Sequence, residues 1–165
     1  MRFSPLALTL GLAASALSVP VLSQKPDDQI TPRSVQLTQQ AQAALTAGNL
    51  ESATDALETA LAVDPRNRGA FVTLGKVAIR QKLYGKAIRL TNEALSMEPS
   101  DRDALLVQGQ AMVELGAVPR ARENLAKLQK LCGAAGCSEV TTLSAAISRG
   151  PAMAAAAQST TKKVN

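Results

Sequence analysis

The chain has 165 residues, with 18 lysines and arginines against 13 aspartates and glutamates, 46% hydrophobic residues, 2% aromatic residues, two cysteines and no histidine or tryptophan. That length allows one domain or a short array of repeats rather than two large domains. Without histidine the commonest general base and metal ligand are missing, and Phe3, Phe71 and Tyr84 are too few to build stacking platforms for bases or sugars.

The first feature in chain order is a signal peptide over residues 1–23. Arg2 gives a positive start, Leu6 to Leu17 an apolar run, and Ser23 a small residue that signal peptidase accepts. Cleavage after Ser23 is preferred to cleavage after Ser18, because Pro20 breaks the apolar helix ahead of the later site. The apolar run is short for a bilayer span, and no cysteine follows it to carry a lipid. An uncleaved membrane anchor is the competing reading. The expectation is therefore an exported chain, periplasmic or secreted, with no stable membrane anchor after cleavage. The mature chain would carry 17 bases and 13 acids, a net charge of +4.

Residues 24–33 read as an N-terminal linker, with Pro32 in the first turn of the first helix. From residue 34 a period dominates. Pro65 and Pro99 lie 34 residues apart, and the same step aligns Leu37 with Phe71 and Leu105, Ala41 with Gly75 and Gly109, and Ala53 with Ala87 and Ala121. It also aligns Leu45 with Ile79 and Val113, and Ala60 with Ala94 and Leu128. Apolar residues such as Phe71, Leu74 and Ala78, then Ala87, Leu90 and Ala94, follow helical spacing, so each unit reads as two helices and a short turn. Turns within units are expected near Gly48-Asn49, Tyr84-Gly85 and Gly116-Ala117, with breaks between units at Asp64-Pro65 and Glu98-Pro99. The units are 34–67, 68–101 and 102–133.

These residues resemble the tetratricopeptide repeat. The second unit fits best, with Phe71, Leu74, Gly75, Ala87 and Pro99, while the first has Leu37, Gln40, Ala41, Ala53, Leu57 and Pro65. The third has Leu105, Gln108, Gly109, Ala121 and Leu125, and Gly133 replaces the closing proline. The expected fold is all-α, an α-solenoid of about three helical hairpins plus a C-terminal capping helix. One hairpin cannot bury its apolar face alone, so three stacked units are near the minimum and the last needs a cover. A helix over Ser138 to Ser148 supplies it, with Val140, Leu143 and Ile147 on one face, Ser138 as N-cap and Gly150-Pro151 as the stop. Residues 151–165 read as a disordered tail.

Cys132 and Cys137 flank a glycine-containing bend between the last repeat helix and the cover. In an exported chain they read as a disulfide that links the capping helix, segment 134–150, to the array. Redox or metal use is the alternative, though a zinc site would need two further ligands. The pair also looks similar to one at the end of exported bacterial tetratricopeptide proteins, a type in which Leu143 and Ala146-Ile147 have counterparts.

Charge is segregated. Gln24 to Asp64 has two bases and six acids, Pro65 to Asn92 seven bases and no acid, and Glu93 to Asn165 eight bases and seven acids. Net charges of −4, +7 and +1 point to an acidic partner or to self-association through oppositely charged units, against the plainer reading of solvated helix faces. Nucleic acid is not expected as a partner. In the resembling family the first helix of each hairpin lines a concave groove, which implies Thr38 and Gln42, then Val72, Lys76 and Arg80, then Leu106, Gln110 and Glu114 as partner-binding residues. No catalytic, metal or cofactor residues are expected, since no phosphate loop or nucleophile elbow occurs. The functional expectation is a non-catalytic periplasmic adaptor or scaffold for a protein or peptide partner. The alternative is a thiol-disulfide or cytochrome and envelope assembly factor that uses the cysteine pair.

Overall fold

The computed structural model describes residues 29–151; the expected signal peptide and nearly all of the expected tail lie outside them. Seven α-helices follow one another: α1 (Pro32–Thr46), α2 (Leu50–Val63), α3 (Arg68–Arg80), α4 (Tyr84–Met97), α5 (Arg102–Glu114), α6 (Val118–Cys132) and α7 (Ser138–Arg149). They pair as three antiparallel hairpins, α1/α2, α3/α4 and α5/α6, with α7 packed on α5 and α6. The result is the all-α array of three hairpins and a covering helix that the 34-residue period predicts. No helix among the described residues is long and apolar enough to cross a membrane.

The same turn closes each hairpin. Asn49 N–H donates to the Ala44 carbonyl, Leu83 N–H to Ala78 and Ala117 N–H to Met112, while the preceding residue donates to Leu45, Ile79 or Val113. This paired capping needs a left-handed residue at its centre. Gly48 (φ 81°) and Gly116 (φ 77°) supply it in the outer hairpins, but the middle hairpin uses Lys82 at φ 61°. The middle turn thus lies at residues 81–83 and Tyr84-Gly85 opens α4, a correction to the expected turn. Lys82→Gly should stabilise the chain by about 0.5–1 kcal/mol, by removing the steric penalty of a side chain in this conformation. A rise in thermal midpoint checks it.

The turns between hairpins are capped by side chains. Asn67 Oδ1 accepts from Ala70 N–H at 3.0 Å and Asp101 Oδ1 from Ala104 N–H at 2.8 Å, one repeat apart. The buried Asn67 also donates through Nδ2 to the hydroxyls of Ser34 (2.7 Å) and Thr38 (3.0 Å), which joins α1 to α3. Helix α1 begins at Pro32, inside the expected linker, and its own Thr31 side chain does not cap it. Instead Thr31 N–H donates to Asp64 Oδ2 at 2.8 Å, and Arg66 N–H donates to Asp64 Oδ1 at 3.1 Å. The Thr31 amide, and then those at Arg66, outweigh burial and hold the Asp64 carboxyl down at about 2. A lowered folded pKa means the contribution is present above about pH 4 and lost as pH falls through 2. Asp64→Asn should therefore melt earlier than the parent at neutral pH, with the difference shrinking between pH 4 and pH 2 in thermal melts.

Small residues set how closely the helices approach. Ala41, Ala53, Ala60, Ala87, Ala94 and Ala121 are fully buried at helix crossings, and Leu57, Leu105 and Leu128 fill the layers between them. Gly109 lies directly beneath Leu143 of α7, so closely that a Cβ there would come within 2.7 Å of a Leu143 methyl. Leu143 is wholly buried against Leu105 and Leu128, with Val140 and Ile147 packed around it. A disulfide joins Cys132 at the end of α6 to Cys137 at the start of α7. Closing so short a loop constrains the unfolded chain by about 2 kcal/mol. Cys137, not Ser138, occupies the N-cap of α7, and the Ser138 hydroxyl turns to Glu139 at 3.1 Å. Glu139 in turn pairs with Arg102 of α5 at 3.7 Å.

Candidate functional site

The first helices α1, α3 and α5 lie side by side, with α7 next to α5, and form one face of the array. On this face Leu45 of α1, Lys76, Ile79 and Arg80 of α3, and Gln110 of α5 line one recess of about 250 Å³. Three hairpins thus contribute to a single site with a cationic edge, an aliphatic floor and one amide.

Of the residues expected to line the groove, Lys76, Arg80 and Gln110 come together there, and Gln42 is exposed on the same helix as Leu45. Thr38 and Val72 lie inside the packing. Thr38 is buried, donating to the Ser34 carbonyl at 2.9 Å and accepting from Asn67, and Val72 is buried against Ala94, Ala104 and Val107. Leu106, one repeat further on, is half-buried against the cluster that receives α7. The reason is rotational: each step of four residues turns a helix by about 40°, so a line through 72, 76 and 80 sweeps about 80° from the seam between hairpins to the open face. Glu114 is half-buried at the end of α5. Leu45 and Ile79 were legible as a repeat column, but as packing residues rather than as a floor.

The electrostatics of the face are mixed. Lys76 Nζ lies 3.8 Å from Asp103 Oδ1, a contact between α3 and α5. Three other bases of the middle segment also have partners: Arg66 with Asp64 (3.4 Å), Arg68 with Asp101 (3.1 Å) and Lys86 with Glu58 (3.9 Å). At least four of the seven positive charges between Pro65 and Asn92 are therefore met by acids of the flanking segments among the described residues. Such exposed pairs stabilise weakly and are screened by salt, but they neutralise much of the apparent +7 patch.

Residues 38–95 and 72–135 match the tetratricopeptide repeat family, a span covering more than half of the chain. The chain belongs to the tetratricopeptide repeat family. No curated protein sequence matches it. Among solved structures, the tetratricopeptide domain of Sgt2 from Aspergillus fumigatus is similar at 21% identity, over 72% of this chain and 79% of that one, with a TM-score of 0.66. The first tetratricopeptide domain of Spaghetti (RPAP3), bound to the HSP90 peptide SRMEEVD, is 20% identical over 71% of this chain and 94% of that one, with a TM-score of 0.65. The TPR2B domain of yeast Sti1, in a complex with an Hsp70 peptide, is 15% identical over 72% of this chain and 98% of that one, with a TM-score of 0.64. At these identities the likeness is one of fold. Tetratricopeptide repeats mediate protein interaction, and this chain is a domain of that kind.

Proposed function

We propose that this chain is an exported, non-catalytic adaptor that holds a segment of a protein partner against the face formed by α1, α3 and α5. The observation that carries the reading is the recess shared by Leu45, Lys76, Ile79, Arg80 and Gln110, to which all three hairpins contribute. Its aliphatic floor suits an apolar side chain, and Lys76 and Arg80, one turn apart on α3, suit a carboxylate beside it. The partner segment is accordingly read as acidic and apolar in alternation. Peptide complexes of the similar Spaghetti and Sti1 domains support a peptide-sized occupant.

Export, to the periplasm or beyond the cell, is supported by Arg2, the apolar run Leu6 to Leu17 and the small residue Ser23. The bonded Cys132 and Cys137 fit an oxidising compartment, where they act as a clasp on α7. Because flanking acids already meet four bases of the middle unit, pairing with a second copy is the weaker use of that charge. The test is affinity capture from an envelope fraction with the mature chain and with a Lys76→Glu, Arg80→Glu form. Capture that persists undiminished in the reversed form would remove the groove from the account.

A further inference from the structure

We infer that the crevice between α4 and α6, on the opposite side of the array, is a second binding site that receives the main-chain amide of an extended protein segment. The second helices pack on first helices rather than on one another, so crevices open between them, floored by the first helix of the next hairpin. In the third hairpin that floor is chemically different. Where the second unit places Leu74 and Leu90, the third places Gln108 and Asn124, 5% and 3% exposed. The first unit has the exposed Gln40 and the small Ala56 at these positions, so only the third hairpin buries an amide pair.

The pair is wired in one direction. Asn124 Nδ2 donates to the Leu105 carbonyl at 3.2 Å and to Gln108 Oε1 at 3.0 Å, and Gln108 Nε2 donates to Asn92 Oδ1 at 2.7 Å. Both hydrogens of the Asn124 amide are thereby used, while its Oδ1 has no partner among the described residues. No polar side-chain atom in this region is sealed off without a hydrogen bond, so that oxygen opens on the recess of about 340 Å³ that Asn124 lines. A side chain 97% removed from solvent thus presents a free acceptor to a cavity about large enough for one or two residues.

The remaining lining defines the occupant. Asn92, with its oxygen engaged, has N–H groups free to meet a carbonyl, Leu95 and Met112 offer an aliphatic wall, and Arg120 and Lys127 outweigh Glu123 at the rim. A peptide unit supplies an N–H for Asn124 and a carbonyl for Asn92, with an aliphatic side chain on the wall and an acidic neighbour at the rim. Two buried amides in place of two leucines add no stability that an apolar pair would not match, because removing both partners of a buried hydrogen bond is close to neutral or stabilising. Local departures from a repeat that do not help folding are where function is expected.

The test is an NMR titration of the full mature chain with N-acetyl-aspartyl-leucinamide, following the side-chain amides of Asn92, Gln108 and Asn124. Shifts at these three amides with a millimolar Kd are expected. The exposed Asn92→Ala change should weaken binding several-fold, and N-acetyl-lysyl-leucinamide should bind more weakly than the aspartyl probe. Gln108→Leu, Asn124→Leu should keep or raise the thermal midpoint and weaken binding read at Asn92 at least tenfold. Lys76→Glu, Arg80→Glu should leave the shifts at Asn92, Gln108 and Asn124 and their titration midpoint unchanged, which separates this site from the opposite face. Overturning results are an absence of shifts, equal binding by the Leu pair, by Asn92→Ala or of the lysyl probe, or a lowered midpoint in the Leu pair, which would make the amides structural.

Discussion

Leu143→Ala is expected to destabilise the array by about 3 kcal/mol. Leu143 is wholly buried, seated over Gly109 and packed on Leu105 and Leu128, and it is the largest side chain that α7 buries. Shortening it leaves a cavity at the point where the last hairpin would otherwise meet water. The disulfide from Cys132 to Cys137 and the Arg102–Glu139 pair keep α7 tethered, so the loss is read as loosened packing rather than a lost helix. In a repeat array each unit contacts only its neighbours, so loosening should start at the modified end. Hydrogen exchange should show lost protection in α5, α6 and α7 ahead of α1 and α2. A uniform loss across all helices, or no change in midpoint, would contradict this view of the cap.

The second large effect is functional. Lys76→Glu combined with Arg80→Glu should weaken partner capture at least tenfold, equivalent to about 1.4 kcal/mol. Both side chains line the shared recess, and reversal changes the local charge by four units while placing Glu at position 76 beside Asp103. Like charges at that distance repel a carboxylate-bearing partner as well as each other. Neither side chain is in the core, so the thermal midpoint should move little, and that is the control to measure beside capture. A variant that folds normally and still captures as the parent does would sink the assignment of this face.

Much of the fold was legible because the repeat writes packing into columns. Ala41, Gly75 and Gly109 form a column of small residues, and Gly109 sits beneath α7, the helix that the pattern of Val140, Leu143 and Ile147 marks as the cover of the last unit. The middle turn was not legible, because Lys82 takes the left-handed position that glycine marks in the other two hairpins, and Tyr84-Gly85 drew attention three residues too late. Of the expected groove residues, Lys76, Arg80 and Gln110 come together in one recess, whereas Thr38 and Val72 lie in the packing. Repeat alignment finds equivalent positions but not the rotation that carries one end of a helix into the seam. The charge segregation was visible as a count, yet the pairing of Lys76 with Asp103 and Lys86 with Glu58 depends on helices brought together by folding. Sequence reasoning placed Gln108 in the repeat motif without giving it a role and did not single out Asn124, although the departure from Leu74 and Leu90 one repeat earlier was the available signal.

Which face meets the partner decides how this chain works. A photo-crosslinking residue placed at the exposed Gln42 of α1, and separately at the exposed Thr59 of α2, interrogates the two sides of the first hairpin without disturbing the core. A discrete protein adduct is expected from position 42, lost in the Lys76→Glu, Arg80→Glu background, and none from position 59. Adducts from position 59 alone, or an adduct from position 42 that survives charge reversal, would place the partner elsewhere.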